Sequence, residues 1–480
     1  MSDQIRQLEP TAPWNLFADL NAIPRASKKE ERIAQWVRDF GKKHGLETIT
    51  DDFGNIIIKK PASKGREKSP TTILQGHLDM VHSKNADVTF DFDKQGIEMY
   101  LDGDWVRARG TTLGADNGLG VAAILAVLAS TEIAHPALEA LFTLDEEQGL
   151  SGAKQLGRGL LNGKVLLNLD TEEDHVLTIG CAGGIDTLID WTYKEEPAQA
   201  TLVPFQLKVS NLQGGHSGMD INTGRGNANK ILARVLMALV PSGLRLSSFD
   251  GGNLRNEIPR EAHAIVLVKN EKRFAKLLQA VSKEISLEFQ TTEPNLQITA
   301  VETSRPSHVM RKSDQAKFLH AIRAVQNGVY RMSPEIPGLV EASTNLAKIT
   351  LGGGKMSIGS LQRSSVESSK ADVAAAFRAP FELIGAKVQT ANEYPGWKPN
   401  PGSKIVQKMA EIYERKFGHP PVIEACHAGL ECGIIGEAYP KLDMVSFGPL
   451  IQGAHSPDER ASVSSFAKFW GYYLEVLAAI

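Results

Sequence analysis

The chain has 480 residues, 42% of them hydrophobic and 23% charged, with a formal net charge of −3. That length exceeds what one hydrophobic core fills, so two domains are expected, one of them discontinuous. The near-neutral balance leaves no electrostatic footprint for nucleic acid or an anionic membrane, and no apolar run approaches the ~20 residues of a bilayer span. The opening MSDQIRQLEPTAPW is polar where a signal peptide carries its apolar stretch. Cys181, Cys426 and Cys432 are too few and too scattered for a disulfide framework and read as core thiols. A cytoplasmic protein is expected.

Along the chain, Ser27 with Glu30 three residues on forms a capping-box pattern and opens a helix that runs to His44-Gly45. Short β-rich runs follow at 55–59, 71–74, 140–144 and 165–169. Between them LGVAAILAVLA, 119–129, is apolar nearly all round and reads as a buried helix on a sheet. Strands alternating with helices indicate an α/β layered fold. Around WTYKEEPAQA, 191–200, the chain turns polar and loses its periodicity, which suggests a domain crossing. Strands are expected at 205–209 and 263–269, with helices at 227–240 and 271–289. A helix at 314–329, strands at 347–351 and 355–358, and a helix at 366–384 make a second, similar set. VSNLQGGHSG and SIGSLQRSSVES sit at comparable points of the two sets, an echo too thin to establish a repeat.

EYPGWKPNPGS, 393–403, is the clearest linker, with three prolines and two glycines. After it come a helix at 404–417, a strand at 444–447 and a C-terminal helix. One helix-strand-helix is too little for a third domain, so this segment should return to complete the first. The expected architecture is a discontinuous α/β/α domain with a largely central sheet, residues 1–188 and 397–480. An α+β domain, 189–396, interrupts it.

The polar residues at the strand ends carry the chemistry. ILQGHLDMVH, 73–82, ends an apolar strand with His77 and Asp79 on one face, because side chains alternate along a strand. The strand at 140–144 runs into Asp145, Glu146 and Glu147, and the one at 165–169 into Asp170. Asp116 stands at the start of the apolar helix, and the strand at 444–447 leads through Gly448 to His455. Each has a bland reading: Asp116 as a helix cap, the acidic run as a solvated turn, His455 as a surface histidine. Those readings must all hold independently on the edge where open α/β sheets bind ligands. Two imidazoles with three or four carboxylates suit a hard-to-borderline divalent metal, and this many ligands suits two metals sharing a carboxylate.

HLD at 77–79, GADNG at 114–118, DEEQG at 145–149, LD at 169–170, GGHSG at 214–218 and GAHSPDE at 453–459 resemble the zinc-dependent exopeptidase and deacylase family. That family includes carboxypeptidases, aminoacylases, tripeptidases and dipeptidases. The resemblance spans essentially the whole chain in the family's order, and the wording around GADNG lies nearest the dipeptidase branch. It implies an α/β catalytic domain interrupted by a lid, and two divalent ions, Zn2+ first, with Co2+ or Mn2+ as substitutes. It implies that Asp116 bridges both ions, that His77 and Asp170 complete one ligand set, and that Glu147 and His455 complete the other. Asp79 would orient His77, Glu146 would be the general base, and the Asp116–Asn117 peptide would be cis. His216 would supply an oxyanion donor from the lid, so that the domains must close for catalysis.

For substrate, the resemblance implies free dipeptides, Xaa-His among them. Arg363 in SLQRSSVESS matches the lid arginine that binds the terminal carboxylate, for which a bidentate guanidinium is the natural choice. Asn256 and Glu431 are further candidates for substrate contact, Glu431 through the free amine or as a packing residue. His82 and His427 read as ordinary histidines. A homodimer is the expected assembly, with no nucleic-acid or membrane partner. Two alternatives stand: an N-acyl amino acid deacylase or carboxypeptidase with the same metals, and a small-peptide-binding protein with a degenerate site. An intact Glu146 beside a full ligand set weighs against the second, because binding alone needs no base.

Overall fold

A computed structural model describes residues 3–480. The chain forms two compact units. One holds the chain up to Gly180 together with Trp397–Ala425 and Leu430–Ile480; the other holds Cys181–Gly396 and Cys426–Gly429.

The first unit is built on an eight-stranded mixed sheet. Its centre is parallel: Leu138–Thr143, Thr72–His77, Val165–Asn168 and Asp443–Ser446 lie side by side in that order. Every residue of the first three strands is buried. That is why they read as apolar runs without alternation, as parallel strands covered on both faces do. Glu47–Thr50 and Ile56–Lys60 extend one side antiparallel. The helix Ala115–Ala129 is buried all round apart from Asp116 and its last residue, Ala129, and Thr11–Asn21 packs on it. A smaller four-stranded sheet joins Met99–Asp102 and Trp105–Ala108 to Ile451–Gln452 and Arg460–Ser462.

The second unit centres on a nine-stranded antiparallel sheet. Its strands alternate at their open ends; in Gly183–Thr192, Leu188, Asp190 and Thr192 are exposed and their neighbours buried. The helices Ala228–Leu239, Glu271–Glu288, Lys312–Ala324 and Glu367–Leu383 share one apolar core with this sheet, including Phe249, Phe318, Phe377 and Phe381. The fold is thus mixed α/β with a central mixed sheet, plus a separate antiparallel-sheet domain.

Three local expectations change. Ser27 does not cap the first predicted helix: its hydroxyl donates to the Met80 carbonyl, and the helix begins at Glu31. Glu30 turns instead to the backbone N–H groups of Lys28 and Asp145. The helix expected at 314–329 ends at Ala324, because Gly328–Met332 pairs as a strand with Val340–Gly352. The polar stretch at 191–200 holds the end of one strand and a short strand, Glu195–Pro197, paired with His308–Met310.

Candidate active site

The loops after the parallel strands gather one acidic, histidine-containing centre in the first unit. His77 ends its strand and is 1% exposed. Its Nε2 lies 3.1 Å from Asp116 Oδ1 and 3.4 Å from Asp170 Oδ1. On the far side of the Asp116 carboxylate, His455 Nε2 is 3.2 Å from Oδ2 and 3.0 Å from Glu147 Oε2. One carboxylate therefore lies between two imidazoles, each with a second carboxylate of its own. Donor atoms of His77, Asp116 and Asp170 lie within 4.8 Å of one another, as do those of Asp116, Glu147 and His455, and those of His77, Glu146 and Glu147.

Asp79 is fully buried behind this centre. Its carboxylate is 3.3 Å from His77 Nδ1 and accepts the backbone N–H groups of Glu146 and Glu147 at 3.0 and 3.2 Å. One side chain thus orients an imidazole and the turn carrying two further acids. The Asp116–Asn117 peptide is cis, and the Asn117 amide donates to the Leu169 carbonyl at 2.6 Å, next to Asp170.

Protein charges alone do not balance here. Burial pushes the Glu146 carboxyl well above its ordinary range and raises Asp170 and Glu147. Hydrogen bonds to Asp116 and Glu147 push the His455 imidazole up to about 11. For His77 burial works downward, but Asp170, Asp116 and Asp79 raise it well above its usual value. Glu147 Oε1 is buried without a hydrogen-bond partner.

Two carboxylates on the same side were not singled out from sequence. Burial pushes Glu172 up to about 8, with Asp116 and Asp170 repelling it further. Glu459 accepts backbone N–H groups of the 113–116 loop. Neither stands at a strand end in a pattern that periodicity exposes. Glu431, expected to meet substrate, is 1% exposed and accepts Gln75 Nε2 at 2.6 Å and Thr143 Oγ1 at 2.7 Å. Its carboxyl is pushed up to about 7 by burial.

In the second unit, His216 and Arg363 come together, Nε2 to Nη2, at 3.3 Å. The GGHSG turn is shaped by left-handed glycines; a Cβ on Gly215 would lie 2.1 Å from Arg225 Nη1. His216 Nδ1 accepts from the backbone N–H groups of Gly218 and Met219, which leaves the ring proton on Nε2. Burial and then Arg363 push this imidazole down to about 4. Arg363 is 4% exposed, and its Nη1 donates to the Tyr394 hydroxyl at 2.9 Å. Asn256 is exposed beside this turn, its carbonyl accepting Ser217 N–H at 2.8 Å.

His427, read as an ordinary histidine, belongs to the same cluster. It is 6% exposed, with Nε2 2.7 Å from the Ser343 hydroxyl, and Ser343 lies directly opposite Arg363 across two strands. Burial, Arg363 and His216 push it down to about 3. Its sequence surroundings show no trace of this, because Ser343 lies 84 residues away and Arg363 and His216 are also distant along the chain.

The profile of peptidase family M20/M25/M40 matches residues 73–479. The chain is 40% identical over 480 residues to the cytosol non-specific dipeptidase of Escherichia coli (strain K12), covering 99% of each. It is also similar to the crystal structure of aminoacylhistidine dipeptidase from Vibrio alginolyticus. Identity there is 42% and the TM-score 0.93, over 100% of this chain and 99% of that one. Aminopeptidase PepT from Bacillus cereus shares the fold at 17% identity, with a TM-score of 0.57 over 98% of each chain.

Proposed function

The chain belongs to peptidase family M20/M25/M40, and from that premise we propose that it is a metal-dependent dipeptidase. It cleaves the peptide bond of unblocked dipeptides, Xaa-His among them. The observation that carries this reading is the Asp116 carboxylate between His77 and His455, with Asp170 and Glu147 on either side and Glu146 adjacent.

The donor set fits two divalent cations. Glu147 Oε1 is buried without a hydrogen-bond partner, two imidazoles converge with three carboxylates, and nitrogen and oxygen donors without thiolate suit Zn2+, with Co2+ or Mn2+ as substitutes. His77, Asp116 and Asp170 would hold one ion; Asp116, Glu147 and His455 the other. When bound, such ions lower the pKa of a water between them and polarise the scissile carbonyl. Asp79 keeps the His77 ring and the Glu146 turn in register.

Glu146 takes the proton of the attacking water and returns it to the leaving amine, so the amide becomes one amine and one carboxylate. We assign the second unit the role of a lid that supplies substrate contacts. His216 Nε2–H and Arg363 Nη2 are two donors facing each other at 3.3 Å, an arrangement that an anion relieves. His216 donates to the developing oxyanion and Arg363 to the terminal carboxylate, with Asn256 beside them. The Escherichia coli relative is named a cytosolic protein, and we carry that location over; a homodimeric assembly is our own proposal from the family resemblance.

The test compares one Xaa-His dipeptide with its N-acetylated form, in the presence of zinc and after chelation. Zinc-dependent hydrolysis of the free dipeptide alone supports the assignment. Hydrolysis of the acetylated form alone moves the enzyme to a deacylase or carboxypeptidase, and activity that survives chelation removes the metals from the reaction.

A further inference from the structure

The loop bearing Asp116 is gripped by two buried charges, neither of which is among the candidate ligands. Glu459 is 2% exposed and takes four successive backbone N–H groups. Its Oε2 accepts from Leu113 at 2.7 Å and Gly114 at 2.9 Å, and its Oε1 from Ala115 at 2.8 Å and Asp116 at 3.2 Å. A carboxylate that satisfies four amides with both oxygens fixes the path of the chain through all four residues. It stands four residues after His455, so one turn presents an imidazole to the Asp116 side chain and a carboxylate to its backbone.

Arg25, also 2% exposed, holds the same loop by a carbonyl. Its Nη2 donates to Gly114 O at 2.6 Å, and its Nη1 to the carbonyls of Leu78 and Asp79 at 3.1 and 3.2 Å. One planar guanidinium therefore ties the segment after His77 to the segment before Asp116. The glycines of GADNG leave it room. A Cβ on Gly114 would lie 2.5 Å from Arg25 Nη2, and one on Gly118 2.6 Å from the same atom.

We propose that Glu459 and Arg25 act as a paired clamp on residues 113–116, positioning residues that set the separation of Asp116 from His77 and His455 and so the affinity for the metal pair. The inference rests on reading that centre as a metal site. Glu459→Gln puts an NH2 group opposite two N–H donors, and Arg25→Lys keeps the charge but loses the fork that spans two segments.

The experiment uses the full chain, stripped of metal by chelation. Zinc binding is measured by calorimetric titration, melting is measured in the metal-free state, and dipeptide kinetics follow at saturating zinc. Val106→Ala is the control: Val106 is fully buried and pairs with Ala461 on the strand that Glu459 leads into, so it weakens the fold without touching the loop. Both clamp variants are expected to bind zinc about 10–100-fold more weakly and to lose kcat with KM little changed. The control, at a comparable loss in melting temperature, keeps wild-type zinc affinity.

Zinc affinity within twofold of wild type in both clamp variants would overturn the proposal. So would an equal loss of affinity in Val106→Ala, since the effect would then be general destabilisation. If Glu459→Gln does not fold, Glu459→Asp and Arg25→Lys decide by the same criteria. Wild-type protein that binds no zinc, cobalt or manganese would instead remove the metal-centre reading on which the clamp stands.

Discussion

Replacing Glu146 by Gln changes one oxygen to an NH2 group and leaves the backbone N–H of residue 146 on Asp79 Oδ1, where it now sits at 3.0 Å. The two donor trios assigned to metal, His77–Asp116–Asp170 and Asp116–Glu147–His455, do not include Glu146. The variant should therefore keep its metal, and its fold should be unaffected by a substitution of nearly equal shape. A positioned general base contributes about 10²–10⁴ in rate. At about 1.4 kcal/mol per tenfold, that is roughly 3–5 kcal/mol added to the barrier. The loss belongs to kcat, because the carboxylate acts on the water rather than on the ground-state substrate. The assay is steady-state hydrolysis of a free Xaa-His dipeptide, with metal per chain determined on the same preparation. A kcat within tenfold of wild type at full metal content would refute the role. Loss of a metal ion would show that the third trio, His77–Glu146–Glu147, is the one that ligates.

Two further predictions concern the second unit. His216→Ala should lower kcat about 10²–10³-fold, the usual value of one oxyanion donor, with metal content unchanged; an undiminished kcat means that this unit does not complete the site. His427 should make the fold acid-sensitive. Its imidazole is pushed down to about 3 by burial, Arg363 and His216, so the unfolded chain takes up a proton near pH 6.5 that the folded chain refuses. Stability from this group is complete above pH 6.5 and declines as the pH falls towards 3, by about 2 kcal/mol at pH 5. Melting temperatures at pH 7 and pH 5 should show the difference shrinking in His427→Gln, whose amide can still meet the Ser343 hydroxyl; an unchanged difference assigns the acid sensitivity elsewhere.

Local chemistry made much of this protein legible in its residues. The helix Lys404–Phe417 lies where its pattern placed it, because Ser403 caps the Val406 N–H and Gly418 turns left-handed at φ 78°. The buried run 119–129 is the body of a longer helix. His77 and Asp79 could be read as a pair because strand periodicity alone puts them on one face. Residues whose partners lie nearby behaved differently from those that answer to distant ones. Ser27 and Glu30 carry a sound capping signal, yet they spend their hydrogen bonds on Met80 and Asp145. Strands such as Gly183–Thr192 and Lys387–Tyr394 escaped because they do not alternate cleanly between apolar and polar and their pairing partners lie far along the chain.

The chain's own pattern was sufficient for the kinds of group at the centre: two imidazoles and a ring of carboxylates at strand ends. Periodicity could not say which carboxylate lies between the histidines, which only the resemblance to a family put at Asp116, and the tertiary structure alone decided that Glu431 is buried on Gln75 and Thr143 and that His427 faces Ser343. It alone joined Glu459 to amides 343–346 residues earlier in the chain. The physical reason is range. Periodicity and capping act within a few residues along the backbone, whereas burial and hydrogen bonding act across a few ångströms of space, and only folding brings distant residues that close.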